Sequence, residues 1–117
     1  MFTISKEFQF SASHQLHHLK EGHPCGRMHG HNYVLKVFLR SNELNAEGFV
    51  QDYNELNSIS EWINNTLDHR NLNDVFDFQT SVENMSKHIF YLFKPTFPLL
   101  FAVEMSETHK TSCRYEE

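Results

Sequence analysis

Two cysteines are all that this chain of 117 residues contains, and Cys25 and Cys113 lack the spacing of a disulfide framework. That scarcity points to a reducing compartment, the cytoplasm, and to a fold held by packing. No apolar stretch approaches the length of a membrane span, and the first residues show neither the basic start nor the continuous apolar run of a signal peptide. Positive charge is also short. Ten Lys and Arg stand against fifteen Asp and Glu, a formal charge of -5, which argues against a nucleic-acid partner. Any pocket for an anionic group must therefore be locally basic. Phenylalanine, in contrast, is plentiful: eleven residues within an aromatic content of 14%. With 39% hydrophobic residues, this fits one soluble domain spanning residues 1–117, with a modest core and apolar surface left to bury against other copies of the chain.

Histidine carries the chemistry. The stretch Cys25-Gly26-Arg27-Met28-His29-Gly30-His31 packs a thiol, a guanidinium and two imidazoles into a short loop and the start of a strand. If His29 to Leu39 is extended, His29 and His31 project from one face and Gly30 lies on the other. Phe2 to Gln15 also alternates, with Phe2, Ile4, Phe8, Phe10 and Ala12 on one side, and His14 falls on that apolar side. Pairing the two strands as an antiparallel hairpin brings His14, His29 and His31 together at one end. Three histidines with a fourth position open is the donor set of catalytic zinc, although a lone His-x-His is also common on surface strands. Cys25 can complete the set as a fourth ligand, giving a structural site. It can also sit beside the metal as a base or nucleophile, its thiolate favoured by the ion and by Arg27. The remaining histidines of the loop Leu16 to Met28, namely His17, His18 and His23, flank Gly and Pro in a polar segment and read as solvated.

Farther along, Asp52 and Glu55 read as an N-cap and its partner for a helix that buries Leu56, Ile59, Ile63 and Leu67. At its end stands Leu67-Asp68-His69-Arg70-Asn71-Leu72-Asn73. The Asp68 carboxylate can orient His69 for proton transfer near neutral pH; equally, His69 and Arg70 can complement a helix C-terminus. Thr80 and Glu83 form a second capping pair, opening a helix with Val82, Met85, Ile89, Leu92 and Phe93 on one face and ending at Lys94-Pro95. Pro98 starts a third strand, with Leu99, Phe101, Val103 and Met105 alternating with Leu100, Ala102, Glu104 and Ser106. Glu107 continues the apolar row, so it either reaches water at the strand end or is retained to grip a ligand donor. Thr111 to Tyr115 is a short closing strand in which Cys113 has a structural place. The order strand, strand, helix, helix, strand, strand predicts an α+β fold, an antiparallel four-stranded sheet with two helices packed on one face.

The pattern Phe8-x-Phe10-x-Ala12-x-His14, followed by Cys25-Gly26-Arg27-x-His29-Gly30-His31-Asn32-Tyr33, resembles the 6-pyruvoyltetrahydropterin synthase family, most of all its bacterial 6-carboxy-5,6,7,8-tetrahydropterin synthase branch of queuosine biosynthesis. The likeness continues in Leu67-Asp68-His69, in Glu83-Asn84 and in Glu107-Thr108. It implies the tunnelling fold, or T-fold, in which trimeric barrels stack into a homo-hexamer with active sites at subunit interfaces. It implies zinc on His14, His29 and His31, Cys25 with Asp68 and His69 moving protons, and Glu107 anchoring the pterin of a small-molecule substrate. Ser81 stands at the family threonine that touches the pterin, and Thr80 replaces the usual proline. Arg27 is a candidate contact for phosphate or carboxylate. The implied reaction is that of a carbon-carbon and carbon-oxygen lyase. It converts 7,8-dihydroneopterin triphosphate to 6-carboxytetrahydropterin, releasing triphosphate and acetaldehyde. A pyruvoyl-type synthase omits the carbon-carbon cleavage. A non-catalytic zinc-binding module is the alternative of another class, but it needs none of Cys25, Asp68-His69 and Glu107.

Overall fold

Side-chain alternation decides the first half of the fold, which the computed structural model describes together with the rest of residues 1–117. Strand β1 (Phe2–His14) runs antiparallel to β2 (His29–Ser41), with unbroken register from Phe2 opposite Ser41 to His14 opposite His29. Along β2 the odd residues Tyr33, Leu35, Val37 and Leu39 are completely buried. Phe8, Phe10, Ala12 and His14 of β1 face the same core, as the period-two pattern requires.

Helix α1 (Asn57–Thr66), a single-turn α2 (Leu72–Val75) and α3 (Val82–Phe93) cover this face. Leu56, Ile59, Ile63, Leu67, Leu72, Met85, Ile89 and Phe90 join the strand residues in one core cluster. Asp52 does act as an N-cap, its Oδ1 accepting from the Asn54 N–H at 2.9 Å. What it caps is a 3-10 turn, Tyr53–Leu56, ahead of α1. The cap of α3 is Ser81, whose hydroxyl accepts from the Asn84 N–H, and not Thr80. Thr80 is fully buried and has another partner. On the same helix Leu92 is 42% exposed while Phe90 is completely buried, because the buried stripe advances through 85, 86, 89, 90 and 93.

Strands β4 (Leu100–Thr108) and β5 (Thr111–Glu116) complete the sheet, whose order is β3-β1-β2-β4-β5. The expected four strands are present and antiparallel. A fifth, β3 (Arg70–Asn71), adds two residues parallel to β1 beside Ala12 and Ser13, making the sheet mixed. It forms because the His69 N–H donates to the Ser11 carbonyl at 2.6 Å, which draws the chain leaving α1 along the β1 edge. The alternation predicted for β4 also fails locally. Leu100 opposes Leu39 but Ala102 opposes Phe38, so Phe101 is the extra residue of a bulge. Leu100, Val103 and Met105 therefore form the core row. Phe101 lies on the outer face, 6.4 Å from Phe38 and beneath the Arg40 guanidinium at 4.2 Å. No helix is long and apolar enough to cross a membrane.

The α3 stripe gives a direct test. Phe90→Ala should lower unfolding free energy by about 3–5 kcal/mol, whereas Leu92→Ala should stay within about 0.5 kcal/mol. Urea unfolding at one protein concentration measures both, and comparable losses would contradict the burial pattern.

Candidate metal centre

His14 is the last residue of β1 and His29 the first of β2, so the loop end of the hairpin sets them opposite one another, with His31 one step along the same face. The ring centroids lie 4.6 Å apart for His14 and His29, 5.2 Å for His14 and His31, and 4.8 Å for His29 and His31. One ligand nitrogen from each falls within 4.8 Å of the others. Two backbone carbonyls fix the tautomers. His14 Nδ1 donates to Thr80 O at 2.9 Å, with the Thr80 hydroxyl at 3.2 Å, and His29 Nδ1 donates to Arg27 O at 2.6 Å. Each bond commits the Nδ1 proton and leaves the Nε2 lone pair free to ligate.

Whether a metal suits this site can be judged from His14. Its Nε2 is buried and has no hydrogen-bond partner, a costly state for a polar atom. A cation held among the three rings satisfies it. The residues fit a divalent metal such as zinc, with a three-histidine donor set.

Burial pushes the His14 imidazole pKa down, and the neighbouring His29 and His31 add to this against the opposing Thr80 carbonyl. Burial likewise lowers His31, against the raising effect of Glu107. Both rings thus stay neutral, the ligating form, to lower pH than an ordinary histidine.

Beneath the rings, Tyr33 is completely buried. It stacks on Phe10 at 4.9 Å and meets His14 and His31 edge-on at 6.0 and 5.4 Å. Its hydroxyl is unpartnered, and burial keeps it protonated well beyond the ordinary tyrosine range.

Glu107 faces the same space. Its Oε2 lies 3.2 Å from His31 Nε2 and 3.7 Å from His14 Nε2, and its side chain is 30% exposed. It is therefore half-buried against the triad, and not a strand end reaching into bulk water.

Cys25 lies in a one-turn 3-10 helix, Pro24–Gly26, half-buried and outside the three-imidazole cluster. The Arg27 side chain is exposed and forms no ion pair; its carbonyl is what orients His29. Ser81 spends its oxygen on the α3 cap, keeping its hydroxyl hydrogen available. None of His17, His18 and His23 joins the triad, and His23 Nδ1 instead accepts from the Cys25 N–H at 3.1 Å.

The Asp68-His69 segment lies where the chain leaves α1. Arg70 Nη2 donates to Asn65 O at 3.2 Å, closing the end of α1. His69 turns back in the left-handed region, φ 58°, which sets its Nδ1 3.0 Å from Asp68 Oδ2. The Ser11 N–H on Asp68 Oδ1 at 2.9 Å, and then His69, hold the Asp68 carboxyl below its usual range. His69 and His31 line one cleft of about 470 Å³ over the notch left by Gly30. Cys25 does not line it. Sequence reading did not find Thr80 or Tyr33 as parts of the centre; the Tyr33 position in the odd row of β2 was the available signal, while Thr80 meets His14 across 66 positions.

Zinc titration with metal analysis after dialysis tests the centre. One ion per chain is expected; His14→Ala and His29→Ala should abolish tight binding, and Cys25→Ala should retain it. Because the His14 and His31 pKa values are lowered, protons compete less with the metal at those two rings, so zinc should be retained at neutral pH and released as pH falls. Loss already near pH 7 would contradict these assignments.

A family model described as 6-pyruvoyl tetrahydropterin synthase matches residues 3–117. Over 98% of its length the chain is 36% identical to the 6-carboxy-5,6,7,8-tetrahydropterin synthase of Synechocystis sp., covering 93% of that protein. It is 34% identical to a putative 6-pyruvoyl tetrahydrobiopterin synthase of Caenorhabditis elegans, covering 97% of this chain and 94% of that protein. The solved structure of the Caenorhabditis elegans 6-pyruvoyl tetrahydropterin synthase superposes with a TM-score of 0.86 at 30% identity, covering 99% of this chain and 95% of the other. The matched span includes the histidine triad, Glu107 and the Asp68-His69 turn, and so the chain belongs to the 6-pyruvoyl tetrahydropterin synthase family.

Proposed function

We propose that this pterin synthase family member is a zinc-dependent 6-carboxy-5,6,7,8-tetrahydropterin synthase acting in queuosine biosynthesis. The observation that carries the reading is the Glu107 carboxylate standing 3.2 Å from a ring of the histidine triad. A carboxylate accepts the adjacent N–H and amino donors of a pterin edge bidentately, so a pterin held by Glu107 has its side chain beside His14, His29 and His31. Zinc bound there supplies Lewis acidity toward the side-chain hydroxyls and lowers the cost of enolate character next to them. The chain's own groups move the protons. Asp68 keeps His69 in the tautomer whose Nδ1–H points at the carboxylate, leaving Nε2 to exchange a proton with substrate. Cys25 takes the opposing transfer as thiolate. Ser81 donates its free hydroxyl hydrogen to the pterin, and Arg27 contacts an anionic group of the substrate. Triphosphate leaves 7,8-dihydroneopterin triphosphate; carbon-carbon cleavage with uptake of one water then gives 6-carboxytetrahydropterin and acetaldehyde.

The proposal includes a homo-oligomer, a hexamer built as a dimer of trimers, with active sites at the interfaces. Its support is the open edges of β3 and β5 and the exposed Phe2, Phe49 and Tyr53. The separation of Cys25 from the cleft of His69 also suits a site that two copies complete. Two unpaired cysteines support action in the cytoplasm.

Incubating the zinc-loaded protein with 7,8-dihydroneopterin triphosphate should yield 6-carboxytetrahydropterin and acetaldehyde by mass spectrometry; a 6-pyruvoyl product without acetaldehyde would assign the pyruvoyl reaction instead. Glu107→Gln should weaken binding of a pterin analogue by about 2–4 kcal/mol, since the amide presents a donor to a donor. Unchanged affinity would remove Glu107 from the pterin site. Cys25→Ala and His69→Ala should each lower kcat by about 100-fold with KM little changed, and the double variant should lose far less than their product. Full turnover in His69→Ala, with only Tm lowered, would make the segment a helix terminus alone.

A further inference from the structure

Beyond His14 the chain stays extended for three more residues with no strand on its outer side, yet its backbone groups are not left to water. The Asn73 side-chain amide serves Gln15 completely: Oδ1 accepts the Gln15 N–H at 2.8 Å and Nδ2 donates to the Gln15 carbonyl at 2.9 Å. Two residues on, the Gln79 amide does the same for His17, with Oε1 accepting its N–H at 2.9 Å and Nε2 donating to its carbonyl at 2.8 Å. A primary amide presents one donor and one acceptor side by side, as a neighbouring strand residue does. Placed on residues 15 and 17, the two amides continue the sheet edge at its own period of two.

The opposite edge of this segment holds Cys25. Leu16 N–H donates to the Cys25 carbonyl at 2.9 Å, and Gln15 Nε2 donates to the Gly26 carbonyl at 2.8 Å. Both amides are themselves anchored. The Asn73 N–H donates to Asn71 Oδ1 at 3.1 Å at the start of α2, and the Gln79 carbonyl accepts from Asn84 Nδ2 of α3 at 3.0 Å. The Gln15–His17 segment is thus a rail gripped on one side by two helix starts and carrying the cysteine turn on the other, one residue from the ligand His14.

We propose that Asn73 and Gln79 are positioning residues, paired amide clamps that fix the Cys25 turn relative to the metal centre. The proposal rests on the assignment of Cys25 as a proton-transfer group, and deepens it by naming what holds that thiol in place. An amide is matched to this task, whereas a carboxylate at either position accepts the N–H but turns an acceptor on the carbonyl.

The test uses the full-length, zinc-loaded protein carrying Asn73→Ala, Gln79→Ala, Asn73→Asp or Gln79→Glu. The rate of Cys25 alkylation by iodoacetamide is followed by peptide mass spectrometry across pH, alongside kcat, KM and zinc content. With the rail released, Cys25 should alkylate about 10-fold faster with a shifted pH profile. The kcat should fall about 10–100-fold, as a misplaced group predicts, with KM and zinc content held near the wild-type values. The two acidic variants carry the test if an alanine variant fails to fold. Unchanged Cys25 alkylation and kcat, with only Tm lowered, would reduce the clamps to loop staples and overturn the proposal. Its failure is separable from that of the Cys25 assignment. If Cys25→Ala retains full turnover, the assignment falls while faster alkylation in the clamp variants still reports positioning. If Cys25→Ala is inactive and alkylation is unaltered in the clamp variants, only the clamps fall.

Discussion

The register between β1 and β2 is the constraint on which the rest of this structure depends. Its last rung pairs His14 with His29, and a slip of one residue would turn His14 from the buried to the solvent face. The slip is prevented far from the histidines, by Phe8 and Phe10 on one strand and Tyr33, Leu35, Val37 and Leu39 on the other, all committed to a single core. Burial of ordinary apolar side chains along the hairpin thereby fixes the relative placement of three imidazoles at its loop end.

That end concentrates polar groups that a core would otherwise reject. His14, Thr80 and the Tyr33 hydroxyl are all buried within or beneath it. The Thr80 and Arg27 carbonyls settle two ring tautomers, burial keeps His14 and His31 neutral, and the orphaned His14 Nε2 remains as the atom that a cation satisfies. The folded chain thus holds an unpaired polar site that a bound metal would stabilise. Glu107 is the one carboxylate within ion-pair distance of these rings, which places a negative charge next to the donor set for an ion.

Much of this was legible in the chain because it rests on local periodicity. The even-odd rows of β1 and β2 put the three histidines together before any coordinates, and the same reasoning put Glu107 on the apolar row of β4. The bulge at Phe101 breaks that row in the middle, yet Glu107 still arrives on the core face because alternation resumes at Val103. What could not be read depends on partners distant in sequence. Thr80 looked like a helix cap because hydroxyls cap helices, but its neighbour Ser81 holds that position while Thr80 packs on His14, 66 residues away. Likewise, β3 exists only because Ser11 and His69 meet, and Leu92 yields the buried stripe to Phe90 through the phase of α3 against the sheet. The link between Asn73, Gln79 and the cysteine turn is of the same kind, since amide side chains carry no periodic signature.

The central claim is that three imidazoles, without a thiolate, hold the metal. X-ray absorption at the zinc edge on the zinc-loaded protein measures this directly. The account predicts nitrogen scatterers at about 2.0–2.1 Å with imidazole outer shells, completed by light atoms; a sulfur shell at about 2.3 Å would put Cys25 on the ion and contradict it.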